Sequence, residues 1–136
     1  MKIAVLGTGA NGSCIAASLV EAGLDVTMID QWPAHVETMR ANGLTITMPE
    51  RVQHVTVRAH DLCDVCTFQE PFDVVLLAVK AYDTRWACEL IKPYLKPDGM
   101  MIGMQNCMVA DVIRDVIGPS RSIACVIELS SEMFTP

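Results

Sequence analysis

The stretch GTGANG sets Gly7, Gly9 and Gly12 in the spacing of a phosphate-holding loop, with Thr8, Ala10 and Asn11 between them. In such a loop the first glycine permits a tight turn and the second lets the backbone approach a pyrophosphate. The third lets a helix pack closely on a strand. The first N–H groups of that helix would meet the phosphates with the positive end of the helix dipole. Asp30 comes eighteen residues after Gly12, at the end of VTMID, with Gln31 beside it. A carboxylate there can accept hydrogen bonds from the hydroxyls of an adenine ribose. Lys80 directly follows the apolar run VVLLAV, and Gln105 and Asn106 follow MMIGM. A cation and an amide at neighbouring strand ends are candidates for the reacting end of a bound nucleotide. The plainer readings are an ordinary turn at the glycines, a solvated lysine at a strand end, and an asparagine that caps a following helix.

For these residues to meet, strands and helices must alternate so that four strand ends share one edge. The sequence predicts a strand at Ile3–Leu6, a turn over Gly7–Gly12, and a helix over Ser13–Ala22 with Ile15, Ala16, Leu19 and Val20 on one face. A second strand follows at Val26–Ile29, then a short helix at His35–Ala41. Leu44–Met48 and Val52–Val57 alternate as a hairpin, and His60–Pro71 reads as irregular. Strands at Val74–Val79, Met100–Met104 and Ser122–Leu129 alternate with helices at Asp83–Tyr94 and Val109–Ile117. This is an α/β pattern: a Rossmann-like, doubly wound, mainly parallel sheet with a short hairpin insertion, in one dinucleotide-binding domain over residues 1–136.

Composition narrows the partners. Hydrophobic residues make up 51 %, which suits a sheet buried on both faces. The net charge of −6, without any basic run, argues against nucleic acid. No apolar run reaches the roughly 18 residues of a membrane span, and no signal peptide opens the chain, so the expected location is the cytoplasm. Six cysteines then read as reduced thiols. HDLCDVC holds His60, Cys63 and Cys66 at zinc-like spacing with His54 upstream. One C-x-x-C pair is short of a structural zinc site, so no metal is expected. Cys14, Cys88 and Cys125 lie in apolar patterns and read as core residues, as do Met100, Met101 and Met104.

GTGANG, VKAYDT and MQNC, in that order, resemble the N-terminal domain of the ketopantoate reductases (2-dehydropantoate 2-reductases) over essentially the whole chain. The resemblance implies hydride transfer from a reduced nicotinamide to a 2-oxo acid. It would set Gly7–Gly12 on the pyrophosphate and Lys80 and Asn106 at the nicotinamide and substrate end, as the catalytic pair of this domain. Two departures stand out: Gln31 replaces an arginine that often grips a 2′-phosphate, and Cys107 replaces the glycine of a Q-N-G motif. Family members continue into a helical domain carrying a general-acid lysine, so the chain is expected to be a fragment that binds cofactor without turnover. A homodimer is a further expectation.

Asp30, with no cation in Gln31 or Trp32, predicts NAD rather than NADP. Arg40, folding back from the helix after Pro33, is the side chain that could reverse the preference. Two other functions share these features: a nucleotide-sensing module without chemistry, and a dehydrogenase of the same superfamily acting on another hydroxy acid.

Overall fold

The computed structural model describes residues 1–136. Eight strands and four helices alternate: β1 Lys2–Leu6, α1 Ala10–Glu21, β2 Asp25–Asp30, α2 Pro33–Asn42, β3 Leu44–Thr47, β4 Val52–Val55, β5 Arg58–Asp61, β6 Phe72–Leu77, α3 Thr84–Ile91, β7 Leu95–Met104, α4 Ala110–Ile117 and β8 Ser122–Cys125. Six strands form one sheet in the order β5-β2-β1-β6-β7-β8. Every neighbouring pair in it is parallel, with Val5 opposite Met28 on one side and Leu76 on the other. β3 and β4 stand apart as an antiparallel hairpin, with Leu44 opposite Val55.

Strand alternation splits the apolar residues of β1 between two cores. Ile3 and Val5 face α1, α2 and the hairpin, where Ala16, Ala17, Val36, Met39 and Leu44 are buried. Ala4 and Leu6 face α3 and α4, against Leu77, Ala87, Ile91, Met101 and Ile113. Leu6, Ile29, Leu77 and Met101 are at most 1 % exposed. Such a side chain contributes about 1.5–3 kcal/mol when fully buried. Burial pushes the Cys88 thiol up to about 11, which suits a core residue next to Met101. Cys14 and Cys125 are only half-buried, as are Met100 and Met104, so their core assignment is partial.

Several boundaries differ from the sequence reading. α1 begins at Ala10 rather than Ser13, so Ala10, Asn11 and Gly12 form its first turn and the true turn is Gly7–Gly9. The segment read as irregular, His60–Pro71, begins with the last two residues of β5, the edge strand beside β2, and continues into a 3-10 helix at Leu62–Thr67. Asp61 is the cap of that helix, accepting from the N–H groups of Cys63 and Asp64. Arg58 and Asp61 broke the apolar pattern of a strand whose one core residue is Ala59. β6 lies two residues earlier than expected, and α3 ends at Ile91, where Pro93 turns the chain into a 3-10 helix at Lys92–Tyr94. β7 begins five residues earlier than expected, at Leu95, and takes in Pro97, Asp98 and Gly99. β8 stops at Cys125, not Leu129.

Candidate functional site at the strand ends

The order of strands reverses between β1 and β6. From β1 the sheet extends through β2 to β5 on one side and, from β6, through β7 to β8 on the other. A crevice beyond the carboxyl ends of the strands is the binding place in sheets of this kind. The loops that meet there are Gly7–Gly9, after β1, and Ala78–Ala81, after β6. Ala78 N–H donates to Leu6 O at 2.8 Å, which ties the two together.

Each glycine has its own physical reason. Gly7 has φ +92°, and a Cβ there would lie 2.7 Å from Val79 N. Gly12 lies so close to Gly7 O that a Cβ would fall well inside 3.0 Å of it. Around Gly9, by contrast, a Cβ would meet nothing within 4 Å. Gly9 is the N-cap of α1, and neither a side-chain cap nor an acid in the first turn occupies the helix end. The first N–H groups of a helix have no partner within it. The space beside Gly9, at that end of the helix, is open.

Thr8, between the two tight glycines, is fully buried and is the hub of a polar network. Its N–H and hydroxyl donate to Asp30 Oδ2 at 2.6 and 3.1 Å. Its carbonyl accepts from the Ser13 hydroxyl at 2.6 Å and lies 2.9 Å from His35 Nε2. Asp30 Oδ1 accepts the Trp32 N–H at 2.9 Å. Asp30 is 8 % exposed, while Gln31 beside it is exposed and has no side-chain partner.

Beyond the end of β6 the main chain around Lys80 is held on both sides. Gln105 Nε2 donates to Val79 O at 2.8 Å and to Thr84 Oγ1 at 2.9 Å, and Thr84 Oγ1 donates to Ala81 O at 2.8 Å. Asp83 N–H donates to Lys80 O at 2.9 Å. The Lys80 side chain is exposed, and its ammonium makes no ion pair or hydrogen bond. Of the ten basic side chains only Lys80 and Lys92 are in that state. Lys92 sits just after α3, at the opposite end of that helix from Lys80.

Asn106 is engaged with main chain. Its Nδ2 donates to Ile127 O at 2.6 Å and its Oδ1 accepts from Ile127 N at 2.7 Å, which straps the segment after β8 to the end of β7. It caps no helix: the N-cap of α4 is Val109, three residues on. Asn11 accepts from the Ser131 hydroxyl. Arg40 does not turn toward Asp30. It pairs with Glu37 and Asp64, and its Nε donates to Ala59 O at 2.9 Å. His54, His60, Cys63 and Cys66 do not gather. His54 bonds Thr45 in the hairpin, and no three His, Cys, Asp or Glu side chains group in a way that could hold a metal.

The strand order sets Gly7–Gly12, Asp30 and Lys80 at or just beyond the carboxyl ends of the neighbouring strands β1, β2 and β6. The structure adds Ser13, His35, Thr84 and the buried amide of Gln105, to which the sequence reading gave no role. His35 lies 27 residues from Thr8, so no local spacing announces it. A cavity of about 990 Å³ lies instead on the α1 face under the terminal segment Leu129–Pro136. It reaches Ala10 and Ser13 but none of Gly7, Asp30, Lys80 or Asn106, and its one charged lining side chain is Glu132. Polar side chains line it as well, among them Ser13, His35 and Gln53, but it lies away from the strand-end residues described above.

The sheet order, the glycine turn and the open end of α1 define a dinucleotide-binding domain of the doubly wound type. The family model for ketopantoate reductase PanE/ApbA matches residues 3–135, and the chain belongs to that family. It is 35 % identical over 106 residues to a 2-dehydropantoate 2-reductase of Mesorhizobium japonicum, covering 78 % of this chain and 32 % of that one. A 2-dehydropantoate 2-reductase of Lactococcus lactis is 32 % identical over 108 residues, covering 78 % and 34 %. The crystal structure of a PanE/ApbA family ketopantoate reductase from Ralstonia eutropha superposes with a TM-score of 0.85 at 30 % identity, over 100 % of this chain and 44 % of that one. D-mandelate dehydrogenase shares the fold, with a TM-score of 0.82 at 23 % identity. The chain therefore spans about a third of the length of the curated relatives it matches. No helix is long and apolar enough to cross a membrane.

Proposed function

We propose that this chain binds a nicotinamide dinucleotide at the strand-end crevice, as the nucleotide-binding part of a reductase that converts a 2-oxo acid such as ketopantoate to its 2-hydroxy acid. The observation that carries the reading is the open, uncapped start of α1 beside Gly9, at the reversal of strand order and opposite an unpartnered Lys80. Membership of the ketopantoate reductase family supports the substrate class.

In this reading Gly7–Gly12 hold the pyrophosphate through the N–H groups of α1, and Asp30 faces the adenine ribose. When bound, the reduced cofactor supplies a hydride to the keto carbon. The oxygen of that carbonyl then gathers negative charge, and the Lys80 ammonium, held on a fixed main chain, stabilises it. Asn106 acts at the same end by holding the Ile127 segment in place. A general acid supplies the proton that completes the alcohol.

The preferred cofactor is NAD(H). A 2′-phosphate would bring negative charge to the Asp30 carboxylate, a costly approach without an intervening cation. Gln31 and Trp32 supply none, and Arg40 is held by Glu37 and Asp64. Dissociation constants for NADH and NADPH on the wild type and on Asp30→Asn test the reading. The substitution removes the charge while keeping an amide oxygen for Thr8. NADH should bind tighter to the wild type, and the variant should lose that preference. Tighter NADPH binding by the wild type would overturn the cofactor assignment.

A further inference from the structure

His35 occupies the third position of α2, is 3 % exposed, and its Nε2 lies 2.9 Å from Thr8 O. A carbonyl oxygen only accepts, so Nε2 carries the proton. Nδ1 is then a bare acceptor, buried and without a partner. An unpaired buried acceptor costs free energy, so a histidine whose only task were to fill space would be a poor choice over leucine or phenylalanine. What the ring does contribute is one donor aimed at one carbonyl.

That carbonyl belongs to the residue between the two tight glycines. The Thr8–Gly9 peptide turns the chain from β1 into α1, so its orientation sets where Gly9 and the first N–H groups of α1 point. Asp30 fixes Thr8 from the N–H side, and Ser13 and His35 fix it from the C=O side. We propose that His35 is a positioning residue for the pyrophosphate: its Nε2–H holds the Thr8 carbonyl, so that the loop is ordered before the dinucleotide arrives. This rests on the proposal that the crevice binds a nicotinamide dinucleotide. Order already present need not be imposed on binding, which is where the affinity gain lies.

The test compares His35→Gln and His35→Leu. Glutamine carries an amide nitrogen the same number of bonds from Cα as histidine Nε2, so it can restore the donor. Leucine fills space, removes the unpaired Nδ1, and removes the donor. NADH, ADP-ribose and adenosine are titrated against each variant, and unfolding midpoints are recorded. For His35→Leu we expect NADH and ADP-ribose to bind about tenfold weaker, as for the loss of one buried hydrogen bond. Adenosine, which has no phosphate, should bind as to the wild type, and His35→Gln should bind NADH within about threefold of it. If the leucine variant does not fold, Ser13→Ala removes the other donor to Thr8 O and should show the same ligand pattern. Wild-type protein that does not bind NADH would sink the reading of the crevice itself. Wild-type binding with His35→Leu equally tight, or with His35→Gln as weak as His35→Leu, would overturn the positioning role alone.

Discussion

Alanine at Gly9 and at Gly12 should act differently, although the two glycines are only three residues apart. Gly9 has φ −61° and ψ −169°, a conformation open to alanine, and its added methyl would touch nothing within 4 Å. Alanine is a somewhat poorer N-cap than glycine, but it also restricts the unfolded chain. These effects oppose one another, and the net change should stay within about 1 kcal/mol. Gly12 is different, because its methyl would drive into the Gly7 carbonyl, which is main chain and has nowhere to rotate. Relief requires α1 to lift from β1, separating Ala16 and Ala17 from Ile3 and Val5. Overpacking of this kind costs about 1–3 kcal/mol. With a urea slope of about 1–3 kcal/mol per molar, the midpoint should fall by roughly 1 M. Ligand binding should rank the variants the other way per unit of stability lost. The Gly9 methyl occupies the space left for the pyrophosphate and should weaken NADH by about tenfold or more. Urea titrations monitored by far-UV circular dichroism, with NADH fluorescence titrations on the same samples, measure both. A Gly9→Ala protein that binds NADH like the wild type would refute the placement of the pyrophosphate. A Gly12→Ala protein with an unchanged midpoint would refute the packing argument.

Three further outcomes are expected. In a protein that joins this domain to the remaining length of its relatives, Lys80→Ala should lower kcat by about a hundredfold or more while NADH affinity changes little; an unchanged kcat would make Lys80 a solvated strand-end residue. Gln105→Leu removes both bonds that flank Lys80 and leaves Val79 O unpaired, at a cost of about 1–3 kcal/mol. Amide exchange should accelerate from Val79 to Thr84, and unchanged exchange there would show that Gln105 does not hold the loop. Burial holds the His60 imidazole below its usual range, with Asp64 opposing. The ring is thus neutral in the folded state where the unfolded chain begins to protonate, so its contribution to stability is complete above about pH 6.5 and is lost as pH falls through the lower folded value. His60→Gln should flatten the stability profile below pH 6.5, and an unaltered slope would assign the pH dependence to other groups.

The parallel sheet was legible because buried strands announce themselves. KIAVL, FDVVLL and MMIGM are apolar runs between turn residues, and both faces of each are covered. β5 was not legible for the converse reason. It is an edge strand, it ends in Asp61, and it contributes a single small residue to the core. A strand that buries one alanine has no period to detect. The start of α1 was misplaced because glycine is a poor helix former, and Gly12 sits in the first turn. There, packing against Gly7 O excludes any side chain, so tertiary contact overrides propensity.

The candidate site divides along a similar line. Gly7, Gly9, Gly12 and Asp30 belong to one β-α-β unit, so their spacing in sequence is nearly their spacing in space. Lys80 was legible because a charge that ends an apolar run must emerge at the rim of the sheet. What local spacing cannot show is which side chains grip the main chain between those points. Thr8 is held by Asp30 from 22 residues away and by His35 from 27, and the carbonyl before Lys80 is held by Gln105 from 26. The sequence signature at Asp30 therefore carries two meanings at once. The spacing marks a carboxylate near a ribose, while the structure has that carboxylate accepting two hydrogen bonds from Thr8 and one from Trp32. A substitution at Asp30 that removes its acceptors should then loosen the phosphate loop as well as alter the ribose end. A change of cofactor preference is better sought by adding a cation at exposed Gln31, which holds nothing in place, than by removing the acid beside it.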